Sequence, residues 1–153
     1  MNIRDEHQIA VYGARFKLPS ELLSSPLERI TDWAVGVFAS QTGVSDVEVK
    51  WATVDSTERV YNKLEVHQGS AQVFVVPAGS VAVPVALGPS PESVQFIRVS
   101  AGEAIILNER IWHSGAVGID VPASVIVVLR KGTTAGDTTE SSLSRAVELR
   151  CLG

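Results

Sequence analysis

What most limits the folds open to this chain is its punctuation. Between residues 47 and 129 short apolar or alternating runs follow one another closely, and Gly or Pro stands between most of them. Residues 47–53 alternate apolar with polar side chains, the mark of a half-buried strand. Residues 72–76 are almost continuously apolar, as when both faces of a strand are covered. Residues 77–80 read as a turn, and residues 81–87 as another strand, whose Pro84 asks for a sheet edge or a bulge. Residues 94–99, 104–107 and 124–129 extend the series, with turns at 100–102 and 108–110. Short strands at this spacing specify an all-β sandwich or barrel.

The ends are less regular. The opening alternates weakly around residues 9–13 and breaks at Pro19. Ser25 is placed to cap a short helix, with Pro26 in its first turn and Glu28 following. Residues 33–38 read as a strand, because Gly36, Val35 and Val37 all disfavour helix. Residues 133–142, polar and rich in Gly and Thr, read as a mobile connector, and residues 143–152 as a last strand or helical turn. With no internal repeat, residues 1–153 are expected to form one domain with its core at about 45–131.

Composition removes several kinds of partner. The net charge is −4 and Lys and Arg form no cluster, so nucleic acid is not an expected ligand. The polar start, residues 1–7, lacks the apolar stretch of a signal peptide, and no apolar run is long enough to span a membrane. A single cysteine, Cys151, cannot form an internal disulfide, which fits a reducing, cytoplasmic setting. A small-molecule substrate is the partner left to consider.

The chemistry gathers in two stretches. Along residues 59–67 successive side chains point to opposite faces, so Val60, Leu64 and Val66 share one side and Tyr61, Lys63, Glu65 and His67 the other. A polar strand face is commonly just solvated, but inside a barrel it would line a site. Gln72 follows His67 by five positions, and a second stretch runs from Gly102 through Asn108 and Arg110 to His113. Glu65, His67, Gln72 and His113 together offer a carboxylate, an amide oxygen and two imidazoles. Such a set can hold a divalent metal, with Zn, Ni, Mn and Fe all admissible, or can work without a cofactor. Lys63 is placed to clamp a substrate carboxylate or to pair with Glu65. Trp112 is suited to core or pocket wall, and Arg130 stands at a strand end.

The spacing of these two stretches resembles the paired motifs of the cupins, in which the first usually supplies two His and a Glu, and the second a further His, all to one metal. Glu65, His67, Gln72 and His113 occupy those places here. The resemblance implies a cupin-type (RmlC-like) double-sheet jelly-roll β-barrel with a short helical N-terminal segment.

A narrower likeness is carried by Leu64-Glu65-Val66-His67, Gln72-Val73-Phe74-Val75, Val85-Ala86-Leu87-Gly88, Phe96-Ile97, Trp112-His113 and Tyr12-Gly13. In order and separation these resemble ureidoglycolate lyase, also called ureidoglycolate hydrolase. That resemblance implies a homodimeric enzyme, metal-dependent in some members, that cleaves ureidoglycolate to glyoxylate and urea in purine breakdown. On it, His113 or His67 would be the base, Glu65 a proton carrier or metal ligand, and Gln72 an orienting amide. Tyr61, Lys63, Trp112 and Arg130 would contact substrate. The chain departs from the pattern at Ile106-Leu107-Asn108, Ser114 and Ala123-Ser124, where the family is more polar. Another small-molecule cupin enzyme (isomerase, lyase or metal-dependent oxygenase) or a non-catalytic ligand-binding cupin would use the same residues.

Overall fold

The computed structural model describes residues 3–4, 6–17 and 46–151. The helix capped by Ser25 and the strand over 33–38 lie outside the described residues. Strands β1 (Ile3–Arg4) and β2 (Gly13–Lys17) flank a 3-10 turn, Glu6–Val11. There follow β3 (Val47–Val54), β4 (Glu58–Val66), β5 (Gln72–Ala86), β6 (Gln95–Ser100) and β7 (Glu103–Leu107). The series ends with β8 (Trp112–His113), β9 (Val117–Arg130) and β10 (Thr139–Arg150). No helix among the described residues is long and apolar enough to cross a membrane.

The spine of the molecule is β5. Its first half runs between β7 and β9, with Phe74 opposite Ile105 on one side and Val127 on the other. Its second half runs between β6 and, in turn, β9 and β8. Beyond these partners β2 extends the first half of the sheet through β7, and β3 extends it through β9. The second half is extended by β4 and β10. Every pairing is antiparallel except β1 with β6. Because β5 and β9 each serve both halves, the halves close over a common core as a double-layered jelly roll.

Residues 77–80 are not a hairpin turn; β5 passes straight through them as a bulged bend. The reason lies in which side chains are apolar. Phe74 and Val76 face the main core before the bend, and Val81, Val83 and Val85 face it afterwards. Even positions give way to odd, so one extra residue must be absorbed, which is what a bulge does. Gly79 absorbs it at φ 73°, while the pairing register to β9 shifts on either side. Pro84 sits in this central strand rather than at an edge. It lies between Ala82, the last partner of β9, and Val85, the first partner of β8, so that flank of the ladder is interrupted where the N–H is missing.

A second apolar cluster covers the other face of the β6–β5–β8–β4 sheet. Phe96, Ala82, Ala86, Leu64 and Tyr61 meet Leu143, Val147 and Leu149 of β10 there. The apolar core therefore continues past residue 131. Full burial of the Phe96 ring alone is worth roughly 1.5–3 kcal/mol. The residues 133–142 begin with a single helical turn, Thr133–Gly136, and run into β10.

Alternation along β4 is broken at one place. Tyr61 and Leu64, three apart, share the second cluster, so Tyr61 does not lie with Glu65 and His67 as strict alternation requires. The pairing with β10 is irregular at the same place: the partner of Lys63 is Ser142 but the partner of Tyr61 is Val147.

Candidate metal centre

Three neighbouring strands set the centre in register. Glu65 on β4 stands directly opposite His113 on β8, and His113 directly opposite Val85 on β5, whose side chain faces the main core. His67 lies one residue beyond the end of β4, and Gln72 begins β5. The carbonyl of His67 accepts the amide of Arg110 at 2.8 Å, which ties the two motif stretches together. Arg110 reaches it from a left-handed conformation, φ 67°.

The four side chains converge. The two imidazole centroids are 4.9 Å apart, His113 Nε2 is 3.5 Å from Glu65 Oε1, and His67 Nε2 is 2.9 Å from Gln72 Oε1. Candidate ligand atoms of Glu65, His67 and His113 all lie within 4.8 Å of one another. His67, Gln72 and His113 are buried, whereas the Glu65 side chain keeps 35% of its surface exposed. Phe74 presents its ring edge-on to His113 at 6.3 Å and closes the apolar side.

Hydrogen bonding fixes what the rings present. His113 Nδ1 donates to the Ile111 carbonyl at 2.9 Å, and His67 Nδ1 to the Asp137 carbonyl at 2.8 Å. A carbonyl only accepts, so both Nδ1 atoms carry hydrogen and a neutral ring turns an Nε2 lone pair inward. Those lone pairs face oxygen acceptors. Turning the Gln72 amide over would give His67 a donor. No such rotation helps His113, whose Nε2 is buried without a hydrogen-bond partner and faces a carboxylate. A proton between the two groups, or a metal ion shared with Glu65, would satisfy both. Backbone carbonyls holding the far nitrogens of both rings are the usual outer support of metal-binding histidines. The residues present therefore fit a divalent ion held by Glu65, His67 and His113, with Gln72 Oε1 adjoining.

Electrostatics agree on the sign. The His113 imidazole facing it holds the Glu65 carboxyl below its ordinary value, against burial, with His67 and Lys50 acting in the same sense. Burial raises Asp137, but the Gln68 and Gly69 amides, with His67 and Arg130, bring it below its ordinary value.

Of the other four sequence candidates, Lys63, Tyr61 and Trp112 lie elsewhere. Lys63 is exposed and binds both carboxylate oxygens of Glu140 at 2.7 Å, so it pairs neither with Glu65 nor with the centre. Tyr61 is buried, donates its hydroxyl to the Gly115 carbonyl at 3.0 Å and packs on Phe96 at 5.7 Å. Trp112 packs against the second cluster, on the face of β8 opposite His113. Arg130 donates its amide to Ser70 Oγ at 3.0 Å, and its charge acts on Asp137, whose carbonyl holds His67. An open cleft of about 270 Å³ runs along Arg59, Tyr61, Lys63 and Ser114, but none of the four converging side chains lines it. Sequence reasoning passed over Asp137, Thr138 and Lys50. A carbonyl ligand has no residue signature, and Lys50 looked like the solvated face of an alternating strand.

No protein-family profile matches the chain, and no curated protein is detectably similar in sequence. Solved structures do resemble it. A 3,4-ketoisomerase from Helicobacter canadensis aligns at 11% identity over 60% of this chain and 66% of that one, with a TM-score of 0.50. A sugar 3,4-ketoisomerase from Thermoanaerobacterium thermosaccharolyticum aligns at 14% over 60% and 64%, with a TM-score of 0.49. Oxalate decarboxylase from Bacillus subtilis aligns at 13% over 67% and 25%, with a TM-score of 0.45. The chain thus covers just under two thirds of the two ketoisomerases' length. At 11% identity the likeness to the Helicobacter enzyme is one of fold. With the strand order and the register of β4, β8 and β5, it defines the class: an all-β, cupin-type jelly roll. The narrower likeness to ureidoglycolate lyase has no counterpart among these three.

Proposed function

We propose that this protein is a small-molecule cupin enzyme that moves protons on an oxygen-rich substrate at a divalent metal held by Glu65, His67 and His113, with Gln72 beside them. The observation that carries the reading is the buried, partnerless Nε2 of His113 facing the Glu65 carboxylate at 3.5 Å. A bound metal would polarise a substrate carbonyl or hydroxyl oxygen. Glu65 has a second carboxylate oxygen and the most solvent access of the four, so it is the group able to take up a substrate proton and pass it to water. Gln72 can orient a substrate hydroxyl through its amide, and Phe74 keeps water off the His113 side.

Keto–enol isomerisation fits this equipment, and the Helicobacter canadensis neighbour is a 3,4-ketoisomerase. Cleavage of ureidoglycolate fits it as well, and the motif likeness around Glu65, His67 and Gln72 favours testing that substrate. There the hydroxyl proton leaves, the C–O becomes a carbonyl, and the C–N bond breaks as the nitrogen is protonated.

Protein purified without added metal is to be measured for bound metal, then assayed for urea release from ureidoglycolate and for isomerisation of keto-sugars. Bound divalent metal and turnover of either substrate, both lost in His113→Ala, are the expected result. A wild-type protein with no affinity for divalent metal would overturn the metal reading.

A further inference from the structure

We propose that Asp137, at the end of the helical turn Thr133–Gly136, is the positioning residue of this centre: it fixes the tautomer and orientation of the His67 ring. This rests on the metal reading above. Asp137 holds the motif stretch at both ends. Its carboxylate accepts the amides of Gln68 at 3.0 Å and Gly69 at 2.8 Å, the two residues that follow His67. Its own carbonyl accepts His67 Nδ1–H at 2.8 Å. Three successive residues of the first motif are thus gripped by one aspartate some seventy positions away.

The grip is itself anchored. The amide of Gly136 donates to the Gly132 carbonyl and the amide of Asp137 to the Thr133 carbonyl, each at 2.9 Å. The Thr138 hydroxyl donates to the Thr133 carbonyl at 3.0 Å and lies 3.3 Å from His67 Nδ1, where its oxygen can share the ring hydrogen. On β3, Glu48 accepts the amides of Gly132 at 3.1 Å and Thr134 at 2.9 Å, together with the Thr134 hydroxyl. A connected series of hydrogen bonds therefore runs from an outer strand to the far nitrogen of His67.

The consequence is chemical as well as mechanical. A free neutral imidazole can carry its hydrogen on either nitrogen and can turn about its side-chain bonds. With Nδ1–H committed to a fixed carbonyl, only the Nε2 lone pair is left to face Glu65, Gln72 and His113. A carboxylate is suited to the outer end, since it accepts two amide hydrogens at once, while an asparagine would turn a donor towards one of them.

The test uses the whole 153-residue chain and two readouts. Ring-nitrogen NMR of the metal-free protein reads the His67 tautomer, and titration with Zn²⁺ or Co²⁺ reads the affinity. The wild type is expected to show a single His67 tautomer hydrogenated at Nδ1. Asp137→Ala is expected to show a mixture and to bind metal about 10- to 100-fold more weakly, with Asp137→Asn between the two. A folded Asp137→Ala with unchanged tautomer and affinity would overturn the proposal and leave the metal reading standing. A wild type that binds neither ion would remove the metal reading, and the NMR arm would still decide the grip. Should Asp137→Ala not fold, Asp137→Asn and Thr138→Val carry both readouts, and an unmoved tautomer in both refutes the grip.

Discussion

Replacing Gly79 with alanine tests whether the bend in β5 is what lets both halves of the sheet share one core. Gly79 adopts φ 73°, and a side chain in left-handed backbone costs roughly 1–2 kcal/mol. A Cβ there would stand 2.5 Å from the Asp120 carbonyl oxygen and 2.7 Å from Ala123 Cα, both backbone atoms of β9. Neither can give way without moving a strand that β3 and β5 hold from its two sides. Overpacking of this kind typically adds about 1–3 kcal/mol, so the combined loss should be about 2–5 kcal/mol. Against a total stability on the order of 5–15 kcal/mol, that is a large share. Thermal melts followed by circular dichroism should fall by roughly 4–20 °C in a chain of this size. Gly88 is the control, because a Cβ there meets nothing within 4 Å and its φ is ordinary. Gly88→Ala should melt within about 2 °C of wild type, as surface changes do. If Gly79→Ala melts alongside Gly88→Ala, the bend does not depend on left-handed backbone and the account of the parity change fails.

Other outcomes follow from the centre and its surroundings. Glu65→Gln removes the one formal negative charge among the four converging side chains, and metal affinity measured by competition with a chelator should fall at least 10-fold; equal affinity would show that Glu65 is not a ligand. Gln72→Glu adds a buried carboxylate beside His67, so affinity should rise while the metal-free protein melts lower, and failure of both would place Gln72 outside the centre. The Thr134 hydroxyl holds the Glu48 carboxyl below its ordinary value, against burial, with help from the Thr134 and Gly132 amides and Lys50. Its stabilising part is therefore full above about pH 4.3 and is lost as pH falls through the lowered folded value, so acid melts should drop more steeply in wild type than in Glu48→Gln. Tyr61→Phe strips the hydrogen bond to the Gly115 carbonyl and should cost about 0.5–1.5 kcal/mol with metal affinity unchanged; a loss of affinity at equal stability would bring Tyr61 back to the site.

The strands could be read from the sequence because alternation and punctuation mark them, and residues 103–107 are buried as their apolar run implies. Over residues 47–54 the alternation marks the strand but not its burial, since Val49 and Trp51 are exposed. Which face each strand turns inward was harder to read, since a single bulged residue reverses it. The changes at Gly79 and beside Asn62 depend on where β9 and β10 lie, and nothing local announces either. His67 and His113 were legible together because spacing, not residue type, brings them to one place. The partners of Lys63 and His67 were not. Glu140 reaches Lys63 across the β4–β10 pairing, and His67 is held by a main-chain carbonyl, which any residue could have supplied. A polar, glycine-containing stretch such as 133–142 looks the same from its sequence whether it merely links two strands or grips a ring.

Compared with the usual cupin set of three His and a Glu, the carboxylate stands here at a His position, Glu65, and a neutral amide, Gln72, takes the Glu position, and the structure gives that shift a physical meaning. Gln72 is 6% exposed and adjoins His67, where an ionised carboxylate would need compensation for lost hydration. Glu65, 35% exposed, keeps part of its hydration while its inner oxygen faces His113. The centre therefore carries the same formal charge as one with three imidazoles and a carboxylate, but the negative end has moved outward towards solvent. Water screens that charge more effectively, so an ion there would be held less tightly at that position and an oxygen of an incoming substrate would compete with Glu65 more readily. A carboxylate displaced in this way is ionised, close by and in contact with water, the state a proton carrier requires. On the proposed function, the altered ligand set thus suits proton transfer at a partly open site better than a tightly closed one, with Glu65 as the group that would exchange protons with solvent.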